Sequence, residues 1–132
     1  MDSNTTHHSQ ISSEVSLETT LASYGTLAPG EVNSNQMDGM VGTWSAGTVR
    51  GYLTHASKGA HIGLPALILD PNGDDIPVQI FKSKDLPAYW WRLDEFEGEG
   101  YRRVPVTVQT DEGEIMAYLY NVKPSFVASM DK

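Results

Sequence analysis

One stretch of this chain spaces its apolar residues for a helix, while the segments around it alternate or run continuously apolar. Leu86, Tyr89, Trp90, Leu93 and Phe96 fall at i, i+3, i+4, i+7 and i+10, which puts them on one stripe of an α-helix. Asp85 stands where it can cap that helix, Pro87 suits a first turn, and Gly98 supplies the stop. A chain with a single helix and many short strands buries its apolar surface by curving or closing a sheet and packing the helix on it.

The strands are read from β-branched and aromatic runs bounded by turn residues. They begin at Leu21, where Leu21-Ala22-Ser23-Tyr24 leads into Gly25-Thr26-Leu27 before Pro29-Gly30 breaks the chain. Thr43 to Leu53 is a longer run, with Gly47 and Gly51 as bulges or points of close approach. Leu64 to Leu69 and Ile76 to Phe81 flank Asp70-Pro71-Asn72-Gly73-Asp74 and read as a hairpin. Arg103 to Val108 and Ile115 to Val122 read as a second one. The expected fold is α+β: a small, mostly antiparallel β-barrel or curved sheet with one main flanking helix.

The 132 residues suit one domain. Residues 1–20 hold many Ser and Thr and few apolar side chains, so they are expected to be a flexible tail, dispensable for folding and activity. The domain is expected over residues 21–132. The pair His7-His8 is too short for a metal-binding tract.

Charge and composition exclude several functions. The formal net charge is −8, and no window gathers more than the two adjacent bases Arg102 and Arg103, so neither nucleic acid nor an anionic membrane is an expected partner. With no cysteine, a disulfide scaffold, an iron–sulfur cluster, a thiol nucleophile and a cysteine zinc site are excluded. No apolar run approaches the roughly 20 residues of a spanning helix. The N-terminus lacks the basic start and apolar stretch of a secretory signal, which leaves a cytoplasmic location as the default expectation.

The chemistry-bearing run follows the helix stripe. Asp94, Glu95, Glu97 and Glu99 are packed into six residues. Acids at a helix C-terminus face the negative end of its dipole, and like charges this close disfavour each other's ionised form. Such a setting suits a carboxyl with a raised pKa that accepts and returns a proton near neutral pH; a solvated acidic turn is the plainer alternative. Glu97 sits beside Leu93 at the edge of the buried stripe and is the acid best placed to face a cleft. Asp94 lies beside Trp90 and Trp91, Glu95 further round the polar face, and Glu99 beyond the stop glycine. A second signal is Tyr24-Gly25-Thr26-Leu27, where a strand ending in glycine leaves backbone N–H groups free to bind a carboxylate or oxyanion.

These motifs, in this order, resemble a known family. YGTLAPG (Tyr24 to Gly30), GTVRGYL (Gly47 to Leu53), LDEFEGEGYRRVPVTV (Leu93 to Val108) and AYLY (Ala117 to Tyr120) are similar to the γ-glutamylcyclotransferase-like family, close to its short bacterial branch and its γ-glutamylamine cyclotransferase members. The resemblance spans about 100 residues, Leu21 to Val122. It implies a small β-barrel and a reaction in which the α-amine of a γ-glutamyl amine or peptide attacks its own γ-carbonyl, giving 5-oxoproline and a free amine. It makes Glu97 the catalytic acid/base and Tyr24, Gly25, Thr26 and Leu27 the substrate loop, with no cofactor and no metal. The expected partner is a small γ-glutamyl substrate. Two departures stand out: Val78 and Gln79 replace a glycine and an acid of the family strand, and Ala28 stands where an arginine is common.

The remaining candidates are weaker. Tyr101 and Tyr120 suit either a substrate pocket or the core. Trp90 belongs to the core stripe, and Trp91 suits a pocket rim or a contact between two copies. His55 and His61, with no third ligand at firm spacing, read as surface residues. Two alternatives to the cyclotransferase are a catalytically inactive family member used for small-molecule binding or interaction, and a glycosidase-like pair of Asp94 and Glu97. The second is disfavoured, because acids three apart on one helix seldom bracket a bond from opposite faces.

Overall fold

In a computed structural model, which describes residues 17–57 and 61–127, six strands, one α-helix and two short 3-10 turns follow one another along the chain. The strands are β1 (Thr20–Ser23), β2 (Thr43–His55), β3 (Pro65–Leu69), β4 (Asp74–Lys82), β5 (Tyr101–Thr110) and β6 (Gly113–Val122), and the helix α1 is Leu86–Glu97. Five strands close into a barrel. β4 pairs with β2 and β1, β1 pairs in parallel with β6 at Leu21↔Tyr118, and β6 and β5 form a ten-pair hairpin. β5 then meets β2 at Thr48↔Gln109, while β3 lies outside the ring, paired to β2.

Alternation along the strands builds two cores, one on each side of the barrel wall. Ala22, Val49, Val78, Ile80, Val108, Ala117 and Leu119 fill the interior. Their chain neighbours Leu21, Phe81 and Tyr120 point outward and pack with Leu86, Trp90 and Leu93 of α1. Strands covered on both faces need apolar residues at successive positions, which explains why Leu21-Ala22 and Ile80-Phe81 carry them in pairs. Leu86 and Leu93 are fully buried, each contributing roughly 1.5–3 kcal/mol of apolar burial. No helix is long and apolar enough to cross a membrane among the described residues.

Three expectations need correction. β3 and β4 do not form a hairpin: Leu69 and Asp74 both pair with Gly51, so β3 follows the last part of β2 and β4 the first. A hairpin would have paired Leu69 with Asp74. Both arms instead take β2 as their partner and meet at Gly51, where the backbones come so close that a Cβ would lie 2.3 Å from the Ile68 oxygen, and one on Gly73 would lie 2.6 Å from the Gly51 oxygen. Asp85 adopts the N-cap position but makes no side-chain capping bond; its Oδ2 instead accepts from the Val41 N–H at 2.8 Å. The expected tail also ends too late. Residues 1–16 lie outside the described residues, but Thr20 is the first residue of β1 and 1% exposed. The Glu18 carbonyl accepts from the Trp90 indole at 2.9 Å.

Candidate active site

The last turn of α1 and the irregular segment after β1 meet over one cleft. α1 ends at Glu97 because Gly98 takes a φ of +80° and its N–H returns to the Asp94 carbonyl. β1 ends at Ser23, after which Tyr24 to Leu27 turn away from the ladder. The cleft between them is narrow and partly open to solvent. Glu97, Tyr24, Gly25, Thr26, Leu27, Tyr101 and Tyr120, the residues singled out from the sequence, all line it.

The segment is pinned from both ends. The Tyr24 hydroxyl donates to the Tyr120 carbonyl at 2.7 Å, so it is committed to the fold. Asn33 holds Thr26 twice: its backbone N–H donates to the Thr26 carbonyl and its Nδ2 to Thr26 Oγ1, both at 2.8 Å. The Thr26 hydroxyl therefore keeps its hydrogen to donate elsewhere. Among the described residues, the N–H groups of Gly25, Thr26 and Leu27 have no recorded acceptor.

Burial, and secondarily the charge of Asp94, pushes the half-buried Glu97 carboxyl up to about 7. Burial and then the nearby Glu97 push Tyr101 up to about 12, and Tyr24 is raised for the same two reasons. Asp94 is engaged differently. Arg103 grips both its oxygens, at 2.9 and 3.2 Å, and the Tyr120 hydroxyl donates to Oδ1 at 2.6 Å. The Arg103 guanidinium itself lies 4.5 Å from the ring centres of both Trp90 and Tyr118. Asp94 is thus bound to neighbours, and a glycosidase-like pair with Glu97 has no free second carboxylate. Glu95 and Glu99 are exposed and outside the cleft lining.

Of the lining residues that the sequence did not single out, one carries a titratable side chain. His61, expected at the surface, is 8% exposed and lines the same cleft. It lies in a loop with no periodic pattern, so no sequence signal pointed to it. His55, at the end of β2, is exposed. Among the described residues no cluster of three potential metal ligands occurs.

Val78, Gln79 and Ala28, the departures from the family pattern, line a separate groove with Trp44 and Glu31 on the other side of Tyr24 and Gly25. Val78 is 3% exposed and fills the barrel core. It does not line the Glu97 cleft, so its bulk does not narrow it. Trp91 is 65% exposed and lines neither.

Comparison with known proteins agrees with this architecture. The chain resembles an AIG2-like protein from Mus musculus at 18% identity, over 88% of both chains, with a TM-score of 0.63. It also resembles YkqA from Bacillus subtilis at 24% identity and a TM-score of 0.62, over 83% of this chain and 36% of that one. An uncharacterised protein from Pyrococcus horikoshii matches at 23% identity and a TM-score of 0.54, over 83% of each chain. No curated protein matches the chain by sequence. Identities this low establish the shared barrel alone, but the family model described as gamma-glutamyl cyclotransferase, AIG2-like matches residues 21–131. With that match covering most of the chain, from β1 past β6, the protein belongs to the AIG2-like gamma-glutamyl cyclotransferase family.

Proposed function

We propose that the protein converts a γ-glutamyl amine or peptide to 5-oxoproline and a free amine, with Glu97 as general base and then general acid. The observation that carries this reading is the Glu97 carboxyl, raised to about 7, lining one cleft with the Tyr24–Leu27 segment. Family membership supports cyclotransferase chemistry of this general kind.

The substrate's α-ammonium has to lose a proton before its nitrogen can attack. A carboxylate that titrates near 7 is present in quantity at neutral pH and holds a proton well enough to return it. Glu97 takes the proton, the amine nitrogen bonds to the γ-carbon, and the carbonyl electrons move to oxygen. When that tetrahedral centre collapses, the bond to the leaving amine breaks, Glu97 returns the proton to the departing nitrogen, and the second proton of the ring nitrogen passes to the released amine, which departs as its ammonium. The N–H groups of Gly25, Thr26 and Leu27 and the Thr26 hydroxyl are donors suited to the substrate carboxylate or to the transient oxyanion. Because the ring closes within one molecule, holding the glutamyl chain in a folded conformer supplies much of the acceleration.

The test is to incubate the protein separately with γ-glutamyl-alanine, glutathione and γ-glutamyl-lysine and to quantify 5-oxoproline by mass spectrometry. We expect turnover of at least one, and a loss of about 10²–10⁴-fold in Glu97→Gln. Failure to form 5-oxoproline from any of them, or an unchanged rate in a folded Glu97→Gln, overturns the reading.

A further inference from the structure

We propose that His61 is a positioning residue for Glu97, holding the last turn of α1 through the Phe96 carbonyl. The carbonyls of a helix's last turn have no partner within the helix. In α1 the Gly98 N–H already serves Asp94, and the chain departs at Gly98. His61 Nε2 lies 2.9 Å from the Phe96 oxygen. A carbonyl only accepts, so Nε2 carries a proton and donates. That carbonyl belongs to the peptide linking Phe96 to Glu97, so the bond acts directly on the backbone that carries the acid.

The imidazole is itself fixed. It meets Phe96 edge-on at 4.8 Å and Tyr101 at 5.4 Å between ring centres. Its loop is tied back by three backbone bonds: Leu64 N–H to the His61 carbonyl at 2.9 Å, Gly63 N–H to Ala56 at 2.8 Å, and Ala56 N–H to Leu64 at 3.0 Å. An anchored donor on the Phe96–Glu97 peptide, itself at the wall of the cleft, defines where the carboxyl sits. The charge that acts on Glu97 is that of Asp94 on its own helix, and Glu97 in turn acts on Tyr24 after β1, Tyr101 on β5 and Tyr120 on β6. A substitution at His61 alters none of these side chains, so a change in Glu97 titration would report its position.

The kinetic part of the test rests on the proposed cyclisation, so a second readout is independent of activity. His61→Phe keeps a ring but removes the donor; His61→Gln keeps an N–H near the Nε2 position. With a γ-glutamyl substrate, we expect kcat to fall 10–100-fold in His61→Phe with KM changed less than threefold, and to recover largely in His61→Gln. Carbon-13 NMR of labelled glutamate, with the Glu97 signal assigned by its loss in Glu97→Gln, reads the acid directly. Its midpoint is expected to fall toward the ordinary carboxylate range in His61→Phe and to stay at the parent value in His61→Gln. If His61→Phe does not fold, His61→Asn, whose amide is too short to reach Phe96, takes its place. An identical Glu97 titration in all three proteins overturns the proposal whatever the kinetics, as does equal impairment of the Phe and Gln variants. Absence of 5-oxoproline from the parent protein counts against the reaction alone, and the titration still decides the role of His61.

Discussion

The Tyr120 hydroxyl donates to Asp94 Oδ1 at 2.6 Å, which ties β6 to the acidic end of α1 one turn before Glu97. The same oxygen receives Arg103 Nε at 2.9 Å, and the charge of Asp94 helps push the Glu97 carboxyl up. Removing that charge removes the smaller of the two causes that push Glu97 up. In Asp94→Asn the pH profile of kcat/KM, expected to rise through a midpoint near 7 as Glu97 ionises, therefore moves to lower pH. Loss of the charge-assisted bonds costs about 1 kcal/mol of stability, because the pair is partly exposed. A profile that stays in place or moves to higher pH contradicts this coupling.

Glu97 also makes stability depend on pH, in the sense opposite to most acids. Its value rises from 4.5 to about 7 on folding, chiefly through burial, so between those values the folded protein binds the proton more tightly. Stability contributed by the protonated acid is complete below the unfolded value and is lost as pH rises toward the folded one. Glu97→Gln removes the penalty of a buried carboxylate. We expect it to exceed the parent in stability by about 3 kcal/mol at pH 8 and to match it at pH 4. Urea midpoints at the two pH values measure this; equal differences at both would mean that Glu97 titrates normally.

Gly51 is the point where β3 and β4 both reach β2. A methyl group there would meet the Ile68 carbonyl, which is backbone and has little freedom to move. Gly51→Ala is expected to cost about 2–3 kcal/mol through overpacking. Gly113, whose φ of +109° strains any side chain although the space around it is open, offers a contrast: Gly113→Asn should cost about 1 kcal/mol, from backbone strain without overpacking. Thermal unfolding of the two variants gives the comparison, and equal losses would remove the special role of Gly51.

At the N-terminus, a chain starting at Leu21 lacks Thr20, which pairs with Lys82, and the Glu18 carbonyl that receives the Trp90 indole. Leaving that buried N–H without its partner and shortening β1 are together expected to cost about 2–3 kcal/mol relative to a chain starting at Leu17. Equal denaturation midpoints for the two proteins would show that residues 17–20 contribute nothing.

Local pattern made much of this molecule legible. The helix from Leu86 to Glu97 and its stop at Gly98 follow from spacing and from one glycine. The β5–β6 hairpin follows from alternation on either side of Asp111-Glu112. Glu97 stood out because acids are costly at a helix C-terminus, and Tyr24 to Leu27 because a strand there ran into glycine. The β3–β4 pairing was misread because turn residues mark where a chain bends, while the strand to which each arm then pairs lies elsewhere in the chain.

Sequence by itself determined the elements, the stripe that α1 buries and the residue types at the cleft, since these depend on neighbours a few positions apart. Only the tertiary structure decided that the sheet closes, that Thr20 belongs to it, that Arg103 and Tyr120 occupy Asp94, and that His61 reaches the Phe96 carbonyl. Each of these joins residues from different elements, nine positions apart for Asp94 and Arg103 and 35 for His61 and Phe96. No local periodicity encodes such meetings; they follow from how the barrel closes and where it sets the end of the helix.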